Sequence, residues 1–247
     1  MKIRKPKHYS PSPINLFMRD KAKFIMKYAD IDTFDGSSAT IRGQAVEVAI
    51  SERIFYAKEI IECIDIATQY FESECKSKNV EQDEKYWKEH NNLSKYIENI
   101  IPSYDNIKEQ SVGTQCLINL DLNDISVPIK GFIDFEFDNH IRDLKTTRAI
   151  PSKIPHSVAR QLAIYSKAID KKEAWVDYVS PKKTVSYRID NIDDAIEEVR
   201  SICLGMDKFF QISDDVKELA TIFYPNLDSY EWDRESINNA KQLWSIK

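Results

Sequence analysis

The chain has 247 residues and a mass of 28.8 kDa, and its 42% hydrophobic and 11% aromatic residues suffice for a sizeable core. With 30% charged residues and no apolar run of membrane-spanning length, a helical membrane protein is excluded; the basic start, MKIRKPKHYS, has no signal-peptide segment, so a cytoplasmic location is expected. The net charge of −5 argues against a polyanionic partner only on average, because residues 1–28 hold eight Lys/Arg against one acid and residues 142–188 eleven against four. Those blocks read as phosphate-binding surface or as ordinary solvated lysines.

Residues 1–8 are expected to be loosely held. A helix is predicted from Ser10 or Ser12, each followed by proline, to about Tyr28, with Ile14, Phe17, Met18, Ala22, Ile25 and Met26 on its apolar side. After the break at Asp35-Gly36-Ser37-Ser38, a second helix covers 39–55 and carries Gly43 and Glu47 four apart on one face. A helical glycine costs about 1 kcal/mol relative to alanine, so Gly43 points to a close approach by another group. Glu47 lies among Ala45, Val46, Val48, Ala49 and Ile50; an acid snorkelling from a buried helix is the commoner fate of such a residue. Two further helices are expected over 56–76 and 83–100, with Tyr70, Phe71, Tyr86 and Trp87 as packing residues and Pro102-Ser103 ending the helical section.

The pattern then changes to strands: 113–121 alternates, Asn123-Asp124 turns, and 125–129 leads into a hairpin over 131–148. Beyond a loop with two prolines, a helix over 158–168 places Gln161 and Tyr165 on one face, which alone reads as an ordinary polar flank. Strands over 173–179 and 184–188, joined by Ser180-Pro181-Lys182-Lys183, precede an amphipathic helix over 193–210 built on Ile196, Val199, Ile202, Cys203 and Met206. In the tail, Tyr224, Tyr230, Trp232 and Trp244 read as packing anchors.

The hairpin holds the densest chemistry. If Asp138-Asn139 is its tight turn, Phe137 faces His140, Phe135 faces Arg142, and Asp134 lies opposite Asp143. Ile133, Phe135, Phe137 and Leu144 then form an apolar face, and Asp134, Asp143 and Lys145 share the other. Directly opposed carboxylates repel. A divalent cation between them relieves the repulsion; so does splaying into water, and the hairpin alone fits both.

Other chemistries are poorly served. Only five glycines occur, none clustered, which excludes a Gly-rich phosphate loop. His8, His90, His140 and His156 make no His-x-x-x-His pair, Cys63, Cys75, Cys116 and Cys203 have no Cys-x-x-Cys spacing, and no nucleophile elbow occurs. What remains is an all-oxygen set, Glu47, Asp134 and Asp143, with a lysine beside it, which favours Mg²⁺ or Mn²⁺ over zinc or iron.

These residues carry a resemblance. Gly131-x-x-Asp134 followed by Asp143-Leu144-Lys145-Thr146 resembles the motif of the PD-(D/E)XK nucleases, and with Gln161-x-x-x-Tyr165 it is similar to the RecB-type, λ-exonuclease-like branch. Gly43-x-x-x-Glu47 looks like that branch's upstream helix. Ser10-Pro11-Ser12-Pro13-Ile14-Asn15-Leu16-Phe17 is similar to its opening Ser-x-Ser-x-Leu-x-x-Phe, with Ile14 in place of leucine. The resemblance implies a restriction-endonuclease-like α/β core in a single domain over 1–247, a mixed sheet flanked by helices with 56–104 as a helical insertion. It also implies a Mg²⁺-dependent DNA nuclease, an exonuclease of recombination, repair or phage replication in a bacterial or phage-infected cell. Asp134 and Asp143, the Leu144 carbonyl and Glu47 would bind the metal; Lys145 would be the catalytic lysine; Gln161 and Tyr165 would support them. The Glu47 position is a histidine in many relatives, which leaves the metal preference open. Asp20-Lys21 stands where iron–sulfur members have Cys-Pro, and the tail has no cysteine triplet, so no cluster is expected. DNA is the implied partner, with a homo-oligomer or a recombination protein as further candidates. A non-catalytic nucleic-acid-binding module and a structure-specific endonuclease remain alternatives.

Overall fold

A computed structural model describes residues 1–31, 36–107, 109–171, 173–229 and 232–246. Asp35 and Tyr230, both used in the sequence reading, lie outside the described residues. In chain order the elements are α1 (Pro11–Arg19), α2 (Lys21–Tyr28), α3 (Ser38–Tyr56), α4 (Ile60–Ser77), α5 (Glu84–Asp105), β1 (Ser111–Leu120), β2 (Ile129–Phe137), β3 (His140–Thr146), α6 (His156–Ala168), β4 (Glu173–Val179), β5 (Thr184–Arg188), α7 (Ile192–Ile212), α8 (Val216–Ile222) and α9 (Arg234–Leu243). The chain divides into two compact units, one from Asp35–Leu117 and Phe132–Ile192, the other from Met1–Phe34, Ile118–Gly131 and Asp193–Lys247.

The first of these contains the heart of a mixed sheet whose spatial order, β1-β2-β3-β4-β5, is the chain order. β2 and β3 pair antiparallel in the register Phe135↔Arg142 and Glu136↔Ile141, which follows from the two-residue turn at Asp138-Asn139. β3 and β4 run parallel, and a parallel pair needs a crossover; α6 supplies it. β4 and β5 close the order as an antiparallel pair. The expected mixed sheet flanked by helices is therefore present, and the strands over 173–179 and 184–188 fall where the alternation puts them.

α3 is covered on most sides, only Thr40, Phe55 and Tyr56 of its residues being exposed. Its Ile41, Ala45, Val46, Ala49 and Ile50 share one core with Phe135, Phe137 and Leu144 of the hairpin and with Phe71, Leu93, Ile97 and Ile100 of α4 and α5. The helical section thus roofs α3. It also runs further than expected: α5 continues through Pro102 to Asp105, since Ile100, Ile101 and Tyr104 are all buried and their packing outweighs the one hydrogen bond that the proline removes. Trp87, expected to pack, is instead 48% exposed.

In the second unit the single helix expected over 10–28 is two helices. Asp20 is extended (φ −151°, ψ 103°); its carboxylate caps α2 through Lys23 N at 2.9 Å and accepts Trp232 Nε1 at 2.7 Å. The start of the chain is held rather than loose: Ile3 is buried, its N–H donates to Asp214 O at 2.8 Å, and Val216 N donates to Met1 O at 3.1 Å. Phe17, Phe24 and Phe209 meet edge to face within 5.1–5.6 Å. Trp232 is buried and Trp244 Nε1 donates to Phe223 O, but Tyr224, read as a packing anchor, is 70% exposed. The tail, where the sequence pattern predicts only packing anchors, also forms two short helices, α8 and α9.

Candidate active site

The hairpin register, continued by one place from Phe135↔Arg142, puts Asp134 across from Asp143. Ile133, Phe135, Phe137 and Leu144 are buried, so the acids project from the opposite side. Asp134 Oδ2 accepts the Leu144 backbone N–H at 2.8 Å, which fixes that carboxylate against β3. Asp143 is almost wholly buried. Its Oδ1 accepts Gln161 Nε2 at 2.9 Å, and its Oδ2 lies 2.7 Å from Lys145 Nζ. Gln161 Nε2 also reaches Tyr165 Oη at 3.1 Å, so the two residues one turn apart on α6 act on Asp143 as one unit. All seven site residues expected from sequence thus lie in one unit, and Asp134, Asp143, Leu144, Lys145, Gln161 and Tyr165 are joined by direct contacts or by their register.

Glu47 is brought in from α3. Gly43, one turn earlier, sits where a Cβ would come 3.3 Å from Thr146 Oγ1, which accounts for a glycine inside a helix as a close approach to the end of β3. Arg42 fastens the same junction, its Nη2 donating to Thr146 O at 3.1 Å and Thr146 Oγ1 at 3.0 Å, its Nη1 pairing with the buried Glu89 of α5. Arg148 meets the same Glu89 at 2.5 Å. A residue absent from the sequence reading completes the set: Gln115 of β1 donates from Nε2 to Glu47 Oε2 at 3.1 Å and approaches Asp134 Oδ1 at 3.5 Å. Gly113, a lone glycine inside a strand pattern, was the available signal.

The electrostatics are those of crowded acids. Burial, with Asp143 adding to it and Lys145 opposing, raises the Glu47 carboxyl to about 7. Asp134 is held well above the ordinary carboxylate range by burial and by the charges of Asp143 and Glu47. Burial also raises Asp143, against the pull of Lys145. For Lys145 burial acts downward, but the attraction of Asp143 and Asp134 wins and holds the ammonium charged. Much of the basic block is neutralised locally, since Arg142, Lys171 and Arg188 pair with Asp177, Glu136 and Glu173. The raw count of lysines and arginines overstates the free positive surface.

Three carboxylates short of positive charge, and a buried Asp143 Oδ2 with no hydrogen-bond partner beyond its ion pair, fit a hard divalent cation with oxygen ligands. Among the described residues no three His, Cys, Asp or Glu side chains are arranged to hold an ion as they stand; the Gln115 amide links Glu47 to Asp134 instead.

A mixed α/β sheet bearing facing acids and a lysine two residues on is the core of a nuclease class. Residues 8–238 match the family model of the PD-(D/E)XK nuclease superfamily, and the chain belongs to that superfamily. No curated protein matches the sequence. Among solved structures it is similar to the crystal structure of SSO0001, with 15% identity, a TM-score of 0.37, and coverage of 86% of this chain and 96% of that one. Among the described residues no helix is long and apolar enough to cross a membrane.

Proposed function

We propose that the protein is a divalent-metal-dependent DNA nuclease of the RecB-type branch, working as an exonuclease in recombination, repair or phage replication. The observation that carries this reading is the contact set around Asp143: a buried acid opposite Asp134, 2.7 Å from the Lys145 ammonium and oriented by Gln161. Asp134, Asp143, the Leu144 carbonyl and Glu47 would hold the ion, Mg²⁺ or Mn²⁺, which when bound supplies Lewis-acid polarisation of a phosphoryl oxygen. Lys145, one-third exposed and held charged by Asp143 and Asp134, would stabilise the negative charge that gathers on the phosphate as water attacks in line. Gln161, which also bonds Tyr165, would hold Asp143 in place beside Lys145. Hydrolysis would leave a 5′-phosphate and a 3′-hydroxyl.

The test is a time course on end-labelled linear DNA, with Mg²⁺ and with EDTA. Wild type degrades the DNA only with Mg²⁺, Asp134→Asn abolishes cleavage, and Lys145→Ala costs at least 10²-fold in rate, as for loss of one preorganised charge donor. Cleavage that persists in both variants, each folded by circular dichroism, overturns the assignment. Equal rates on circular and linear DNA would make it an endonuclease.

A further inference from the structure

β1 is regular except at one point. Its exposure alternates along the strand but slips by one residue at Gly113-Thr114. Gln115 follows with φ +50°, a left-handed conformation that a side chain makes unfavourable, and Cys116 Sγ folds back so that a Cβ on Gly113 would lie 2.7 Å from it. The slipped alternation and the left-handed backbone at Gln115 fit a bulge, and bulges beside active sites re-aim side chains. Here the re-aimed side chain is Gln115, whose amide meets Glu47 at 3.1 Å and Asp134 at 3.5 Å.

We infer that Gln115 is a positioning residue for the metal site: the bulge exists to hold its amide between Glu47 and Asp134. The inference rests on the reading of those two acids as ligands. Glu47 comes from a helix and Asp134 from a strand, and like charges on separate elements swing apart unless a donor ties them. The two N–H groups of one primary amide supply one donor to each. Glu47, with three rotatable bonds, gains most from being tied. The strain at position 115 is the cost of that aim.

Calorimetric titration of Mn²⁺ into wild type, Asp134→Asn, Gln115→Ala and Gln115→Gly, with thermal melts of each in EDTA, tests this. Wild type binds, and Asp134→Asn does not. Gln115→Ala and Gln115→Gly each bind about tenfold more weakly, the lower end of what partners of metal ligands cost when removed. Gln115→Gly, which accepts the left-handed backbone, melts higher than Gln115→Ala although both have lost the amide. A merely structural residue would tie affinity to melting temperature; here they separate. If wild type binds Mn²⁺ through Asp134 and both Gln115 variants bind as tightly, the inference is wrong while the metal site stands. If wild type binds no Mn²⁺, or Asp134→Asn binds equally, the metal reading fails and the inference falls with it.

Discussion

Asp134 accepts a backbone N–H from Leu144 and sits among two other acids, so its charge is both oriented and opposed. An acid whose carboxyl is pushed upward on folding destabilises the folded state once ionised, because the unfolded chain gives up the proton more easily. Asp134→Asn removes that charge while keeping an oxygen for the Leu144 amide. In EDTA near pH 7 the variant should therefore gain stability, by about 1 kcal/mol, or about 2–4 °C in melting temperature for a chain of this size. With Mg²⁺ present the order should reverse, since only wild type gains from binding. A variant that melts below wild type in EDTA would show that the hydrogen bonds of Asp134 outweigh its repulsion. The facing of Asp134 and Asp143 in the candidate site was legible from the chain, because a two-residue turn fixes register and register fixes which acids face each other. Gln115 was not, because a slip in the alternation moves a side chain to the other face without altering composition.

At the scale of elements, α3 against β3 decides how well Glu47 is placed. Helix propensity alone says that Gly43→Ala should stabilise by about 1 kcal/mol. The contact says otherwise. A Cβ there would lie 3.3 Å from Thr146 Oγ1, and that hydroxyl is held by Arg42 Nη2 at 3.0 Å, so it has little room to yield. We expect Gly43→Ala to lose about 1 kcal/mol by urea denaturation, with cleavage rate falling alongside because Thr146 follows Lys145 directly. A gain in stability would mean that the junction relaxes freely. Elements with their own period were legible: β4, β5 and α7 fall within a residue or two of the alternation and the amphipathic pattern. The break at Asp20 was hidden because apolar residues continue across it, and the cap partner, Trp232, lies 212 residues away. Pro102 misled in the opposite direction, its local penalty being smaller than the burial of its neighbours.

On the scale of the whole chain, the unit made from three separated segments was the least legible part, since nothing local announces that Met1–Phe34, Ile118–Gly131 and Asp193–Lys247 belong together. Asp207 of α7 is one place where all three meet. It accepts Tyr9 Oη at 2.7 Å and Ser126 N at 3.0 Å, bonds Ser126 Oγ, and pairs with Lys5 Nζ at 2.8 Å. Burial pushes its carboxyl up, but Lys5, Ser126 and Tyr9 prevail and hold it at about 2, below its ordinary value of 3.8. A carboxyl lowered on folding stabilises the folded state above its unfolded pKa, and that stabilisation disappears as pH falls through the folded one. Asp207 should therefore contribute on the order of 2 kcal/mol above about pH 4, declining towards pH 2. The comparison with Asp207→Asn isolates it: by urea denaturation the variant should be the weaker at pH 6, and the gap should narrow as pH falls from 4 towards 2. A gap independent of pH would mean that shape and hydrogen bonding at position 207, rather than its charge, join the three segments.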